Sequence, residues 1–278
     1  MTRLFAVAAL AAVIVAAPAG AAKPSPWTRV VLHKSHAGVD ATLTFQRRKE
    51  SFGAYSFRDM QLVVKHAGKT VYDHELCSLD RCGIASKHVL SLRNVWGDGV
   101  PEALVDFYTG GAHCCFETLV VLADGAHPGR AVFHDWGDPG YEIQHHDRAP
   151  VIVTADDRFA YAFTSFAGSG LPVQVWTINA NGVLTNITRT RPDLIKKDAL
   201  TWWHAYVDQR GKKDSDIRGV LAAWCADVYL LGQGPDCTSE LANAVKRHYV
   251  SGLGLWPGGP KFATALRRSL SKWGYLRS

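Results

Sequence analysis

A repeat governs the middle of the chain. Val100-Pro101-Glu102-Ala103-Leu104-Val105 recurs as Ala149-Pro150-Val151-Ile152-Val153-Thr154, and the prolines at 101 and 150 set a period of 49 residues. Further on, Phe107–Gly111 loosely matches Phe163–Gly168, and the second copy carries an insert, Asp156–Phe159. Each copy ends in a turn pair, Asp124-Gly125 in the first and Asn181-Gly182 in the second. Such a period suits β units stacked in series. Two copies cannot close a propeller of at least ~4 blades. The expectation is therefore a partial propeller-like or sandwich-like array of antiparallel repeats, with copies at about residues 90–140 and 141–188.

The densest chemistry lies in the first copy, between Asn94 and Leu122. Gly97-Asp98-Gly99 reads as a tight turn, because glycine tolerates the positive φ that such turns need. Pro101 then leads into Ala103-Leu104-Val105, an apolar run of strand length. Gly110-Gly111 breaks the strand after Thr109, and a second strand runs from Glu117 to Leu122.

This layout resembles the FG-GAP-type, integrin-like repeat of β-propellers. Blades of that family begin with an Asp-rich loop, D-x-D-G-D-G, ahead of P-E and a strand. On that pattern Asn94, Trp96 and Asp98 hold the three acidic positions, and Pro101-Glu102 the end. The resemblance spans roughly Leu90 to Thr188 and implies calcium held by oxygen side chains, here Asn94, Asp98 and Glu102. Trp96 supplies no oxygen, and the second copy places Ile143, His145 and Asp147 at the matching positions. The calcium site implied is thus a weak one, in the ~10⁻⁴–10⁻³ M class of extracellular modules, and no other cofactor is expected. The run Gly110–Cys115, GGAHCC, is similar to a feature of uncharacterised secreted bacterial proteins with such repeats.

The ends of the chain differ from its middle. Arg3, the apolar run Leu4–Ala17 and the small residues Ala19-Gly20-Ala21 read as a secretory signal peptide over residues 1–22. The run falls short of the ~20 residues that a membrane span needs, so no span is expected. Residues 23–190 read as a β-rich repeat domain that opens with a hairpin carrying a short tip at His66–Lys69. Around Arg191 the spacing turns helical. Leu194, Leu200, Trp203, Tyr206 and Val207 mark a first helical face, and Ile217, Val220, Leu221, Trp224, Val228 and Leu231 a second. Leu241, Val245, His248 and Tyr249 mark another, and Pro260 starts a last helix through Phe262, Leu266 and Leu270 that Gly274 ends. The fold class is therefore α+β, antiparallel β repeats followed by an α-helical region, 191–278, covering the sheet.

Export makes the six cysteines disulfide candidates first. Cys225 and Cys237 should pair, tying one helix to the next, for about 3 kcal/mol in the chain-entropy model. Cys77 and Cys82 bracket a polar turn, Cys114 and Cys115 are adjacent, and pairing within or across these two sets stays open. As chemistry, His113 with Cys114 or Cys115 is the sharpest catalytic candidate, since a thiolate needs a nearby base. Vicinal thiols with His113, His134 or His145-His146 are a weaker copper or zinc pattern. Neither G-x-S-x-G, a phosphate loop nor H-E-x-x-H occurs.

The formal net charge is +6, and the basic residues are mostly scattered; one group, Lys261, Arg267, Arg268, Lys272 and Arg277, clusters on the last helical stretch, with no nucleic-acid motif beside it. The reading is a secreted, non-enzymatic binding or structural module whose partner is an extracellular or cell-envelope component. Its rival is a secreted enzyme at Cys114 or Cys115 with His113, or a weak calcium- or soft-metal-binding protein.

Overall fold

Strand β2, Val39–Lys49, shows how the sheets are specified. Val39, Ala41, Leu43 and Phe45 are buried, while the Asp and Thr residues between them are half-buried. A two-residue period of this kind gives a sheet one dry face and one wet face. The computed structural model describes residues 26–50, 53–76, 83, 89–111, 114–124, 127–146, 149–179, 181–212, 215–252 and 254–276. The signal segment, Cys77, Cys82, His113, Asp147 and Arg277 lie outside these residues, and so does the side chain of Cys114.

The strands form three four-stranded antiparallel sheets, each a simple meander in which every strand pairs with the next in sequence. The first contains β1 (Thr28–His36), β2, β3 (Tyr55–His66) and β4 (Lys69–Glu75); a full sheet stands where the sequence suggested a hairpin. The second contains β5 (Leu90–Arg93), β6 (Glu102–Gly111), β7 (Cys114–Val121) and β8 (Ala131–Gly137). The third contains β9 (Glu142–His146), β10 (Ala149–Ala155), β11 (Val173–Ile178) and β12 (Leu184–Asn186). The two repeat copies thus coincide with the second and third sheets, and the matched prolines stand at the start of the second strand in each. No closed propeller forms among the described residues.

The looser match is not a strand in both copies. Phe107–Gly111 continues β6, whereas Phe166–Gly168 is a 3₁₀ turn lying under the helices. Gly219 explains how close that turn comes: a Cβ there would fall 2.2 Å from the carbonyl oxygen of Gly168.

The second sheet is buried on both faces, which is why Ala103-Leu104-Val105 is a continuous apolar run rather than an alternation. Ala103, Val105, Leu119 and Val121 pack with Leu43, Met60 and Leu62 of the first sheet. Leu104, Val120 and Leu122 point the other way and pack with Ile178 of the third. The third sheet in turn sets Val151, Val173 and Val175 against Ile195 of α1, Pro192–Gln209. The layers succeed one another from first sheet to helices, with an apolar core between each pair.

The helical part has its own core. Helix α2, Arg218–Leu230, is buried on every side and is the rod around which the others pack. Helices α3 (Gly234–Lys246) and α4 (Gly259–Lys272) come after it, each with proline in its first turn. Gly232 and Gly274, at φ 78° and 82°, close α2 and α4 in the left-handed conformation that ends helices cheaply. Cys225 and Cys237 are disulfide-bonded, with Cα atoms 5.0 Å apart, and join the middle of α2 to the first turn of α3. Among the described residues no helix is long and apolar enough to cross a membrane.

One helical face differs from the expected one. The buried stripe of α1 is Ile195, Ala199 and Tyr206, with Trp202 partly buried along it, while Leu200 is 57% exposed and Val207 37% exposed. Tyr206 is buried as expected, whereas Ala199 takes the place of Leu200 one position later, and one residue is a rotation of about 100° on a helix. Small Ala199 faces in because α2 lies close there. The contrast is testable by urea unfolding. Leu104→Ala, at a site with no exposed surface, should cost about 2–5 kcal/mol. Leu200→Ala should stay within about 0.5 kcal/mol. Equal losses at the two sites would overturn this assignment of inner and outer faces.

Candidate functional site

The loop before β6 uses its oxygens internally. Asn94 Oδ1 accepts from the Gly97 N–H at 2.6 Å, and Asp98 Oδ1 accepts from the Val100 N–H at 2.8 Å. Glu102 is fully buried, and its Oε2 accepts from the N–H groups of Val95 (2.7 Å) and Trp96 (3.3 Å). Gly97 and Gly99 lie at φ 96° and 94°, the positive values that the turn demands. A Cβ on Gly97 would also reach 2.9 Å from Pro150 Cδ, so this glycine lets the first repeat abut the second. Trp96 stacks on His127 with ring centroids 5.8 Å apart.

The three expected calcium ligands are therefore brought into one loop, but each is bonded to the loop's own backbone. Among the described residues no group of three His, Cys, Asp or Glu side chains is placed to hold a metal ion. Glu102 Oε1 is buried with no hydrogen-bond partner. Burial pushes the Glu102 carboxyl up to about 7, and the nearby Asp98 charge adds to the rise against the opposing backbone N–H groups.

Beside the loop opens a cleft of about 830 Å³ between the second sheet and the start of the third. Its floor is a hydrogen-bonded line of side chains. Asp106 Oδ1, from the middle of β6, accepts from Thr118 Oγ1 at 2.7 Å and from Tyr141 Oη at 2.9 Å. Trp136 Nε1 donates to Thr118 Oγ1 at 3.0 Å. Burial, with the Asp106 charge, pushes the Tyr141 phenol up and keeps it protonated. Phe116 stands at the wall, 37% exposed, its ring 5.1 Å from that of Tyr108. Arg93, Asn94, Glu117, Glu142 and His145 complete the polar lining. Burial raises the Glu117 carboxyl, and Asp135 raises it further.

A smaller pocket of about 350 Å³ lies behind it, around His134. The imidazole sits between Trp136 and Trp176, at centroid distances of 4.2 and 4.7 Å, and burial lowers its pKa against the opposing pull of Asp135. His134 is thus half-buried and ring-packed, with no clustered ligands among the described residues. Of the insert carboxylates, Asp156 is 2% exposed and paired with Arg158, and Asp157 Oδ1 accepts from the Asp138 N–H.

Of the catalytic candidates, His113 and the Cys114 side chain lie outside the described residues. Cys115 is disulfide-bonded, to a partner outside the described side chains, and its N–H donates to Thr109 Oγ1 at 2.7 Å. A sulfur so bonded is no nucleophile.

Two features escaped the sequence reading. Asp106 is an acid in the middle of an otherwise apolar run of β6, and that oddity was the available signal for the cleft. The other is a carboxyl pair inside the helical layer. Asp198 Oδ2 accepts from the Val173 N–H (2.8 Å) and Trp202 Nε1 (2.9 Å). Asp227, fully buried on α2, lies beside it. No donor reaches either Asp227 oxygen, as happens when one carboxyl meets another. Burial first, then the Asp198 charge, raises the Asp227 carboxyl well above its ordinary value, and a hydrogen bond joins the two carboxyls. The pair lines neither cleft.

No family model and no solved structure matches the chain. A probable thylakoid lumen protein of Synechocystis sp. is 30% identical over 137 residues. The match takes in 48% of this chain and 40% of that protein, so the chain spans well under half of its relative's length.

Two measurements test the loop. Glu102 has a higher pKa folded, about 7, than its ordinary 4.5. Its contribution to stability is complete below about pH 4.5 and is lost as pH rises through 7, by about 3 kcal/mol at most. Glu102→Gln should therefore remove a downward slope of stability between these limits, so that the variant gains on the parent at pH 8 relative to pH 5. Parallel pH profiles would contradict the burial of a lone carboxyl there. In calcium titration by calorimetry, binding should be no tighter than ~10⁻⁴ M. A micromolar, chelator-reversible site would show that the loop oxygens turn outward.

Proposed function

We propose that this chain is an exported, non-enzymatic binding module built on degenerate FG-GAP-like repeats, and that its ligand lies in the cleft beside Asp106. Export is supported by the signal-like segment at 1–22, by the disulfide bonding of Cys115, Cys225 and Cys237 and by a relative named for a lumenal, extracytoplasmic compartment. The partner is then an extracellular or cell-envelope component.

The single observation that carries the binding reading is the cleft itself. Its volume lies in the roughly 300–1,000 Å³ range of small-ligand sites. Its lining combines a partly open aromatic ring, Phe116, with acceptors and donors, Asp106, Glu142, Asn94 and Arg93. A ring with hydroxyls on its edge and C–H groups on its face meets both demands. Hydroxyls donate to the carboxylates and accept from the guanidinium, while the C–H face covers Phe116. The ligand class is accordingly a polyhydroxylated one, the glycans of an envelope or extracellular matrix. The rival thiol enzyme has lost Cys115 to its disulfide.

Titration with cell-wall and polysaccharide fragments should give saturable binding, and Phe116→Ala should weaken it about tenfold, some 1.4 kcal/mol, with the melting temperature unchanged. Failure of every saccharide to bind, or full affinity in the variant, would sink the glycan reading. A thiol titration of the native protein separates the rival: no reactive thiol is expected, and reactive thiols at 114 and 115 would restore the enzyme.

A further inference from the structure

The helical layer carries a second concavity, far from the cleft in sequence and opposite in chemistry. Helices α3 and α4 diverge to leave a groove of about 730 Å³. Its walls are apolar: Leu241 and Val245 from α3, Ala263, Leu266 and Leu270 from α4, and Leu276 beyond it. Arg267 and Arg268 stand at its rim. Helix α4 also holds Lys261 and Lys272 and has no acidic residue among its fourteen positions. Among the described residues none of these four cations has an intramolecular partner. Glu240, the partly buried acid of α3, is already taken by Tyr206, Arg210 and Asn243.

An apolar trough with unpaired cations at its edge asks for a ligand with an apolar body and an anionic head. Three occupants are less suited. Residues 1–22 are apolar but contain no Asp or Glu, so they leave the cations unmatched. A second copy of the chain would bring the same four cations against these. A flat anionic surface would neutralise the arginines but leave the trough unfilled.

We infer that the groove between α3 and α4 binds one long-chain fatty-acid carboxylate, its hydrocarbon along Leu241, Val245 and Ala263 and its head on Arg267 and Arg268. The carboxylate takes paired N–H bonds from a guanidinium, a match that ammonium groups do not offer. The chain is taken up by burial of methylenes, which is non-directional and so selects for length rather than shape.

The test is calorimetric titration of the exported protein with fatty acids of 10 to 16 carbons, held below their micelle concentrations. One site per chain is expected, with affinity rising by up to about fourfold for each added methylene. Arg267→Gln with Arg268→Gln should weaken the fatty acid at least tenfold while leaving the alcohol of equal length unaffected. Both arginines are exposed, so this variant keeps its fold. Ala263→Trp, checked for an unchanged circular dichroism spectrum, should abolish binding by filling the trough. The inference is overturned if the acid and the alcohol bind equally, if affinity ignores chain length, or if the Trp variant binds as the parent does. Binding to vesicles of anionic phospholipid without binding to monomeric fatty acid would also overturn it, in favour of a membrane surface.

Discussion

The structure depends on a buried carboxylate at the end of the third sheet. Asp156 is 2% exposed and takes Arg158 through both oxygens, Nε to Oδ1 at 2.8 Å and Nη2 to Oδ2 at 2.5 Å. Tyr275, more than a hundred residues on, donates its hydroxyl to the same Oδ2 at 2.8 Å. Around this point the rings of Phe159, Trp273 and Tyr275 pack together, and Arg158 lies over Trp273. Arg189 adds bonds to the carbonyls of Gly274 and Tyr275. The segment after β10 is thereby fixed to the C-terminal end of the chain, and the four helices are held between. A second fastening repeats the chemistry: Arg218, without exposed surface, is forked onto Asp216 and donates to the carbonyls of Trp256 and Pro257. Charges removed from water to this degree persist only where partners meet both sides, and breaking one leaves the other stranded.

These fastenings answer a problem that the repeat creates. A propeller buries each blade between two neighbours and closes the circle, whereas three sheets in series leave two outer faces. The second sheet has neighbours on both sides, so its strands are apolar throughout. The first keeps an outer face of Thr, Gln and charged residues, the composition of a solvated sheet. The third has an apolar outer face at Val151, Val173 and Val175 that would otherwise meet water, and α1 covers it. The helices thus cover the face that the third sheet would otherwise leave open, and the Asp156 clamp holds them there.

Much of this was legible in the residues. The alternation in β2, the prolines at 101 and 150 and the change of spacing near Arg191 marked the sheets, the repeat and the helices, because each reflects a local period. The loop at Asn94–Glu102 was legible as a loop, yet its chemistry was not. An acid reads the same whether it faces an ion or its own backbone, and only the three-dimensional course of the turn shows Glu102 buried on Val95 and Trp96. On α1, Leu194, Trp203 and Tyr206 pack inward as their spacing suggests, but Ala199 carries too little apolar surface to declare itself beside Leu200. Asp106, Asp198, Asp227 and Tyr275 meet their partners across long separations, so the pairing leaves no spacing to read. Within the insert Asp156–Phe159, nothing local reveals that its first residue anchors the segment around Tyr275.

The central claim is that Asp156 makes the helical layer part of the β array rather than an appendage. Hydrogen exchange on the parent and on Asp156→Ala tests it most directly. In the parent, the amides of α2 and of β10 and β11 should open together, with one free energy. In the variant, protection should fall across the helices and the third sheet while β2, β3, β6 and β7 keep theirs. Unchanged protection in the helices of the variant, or a parent in which helices and third sheet already open separately, would contradict the account.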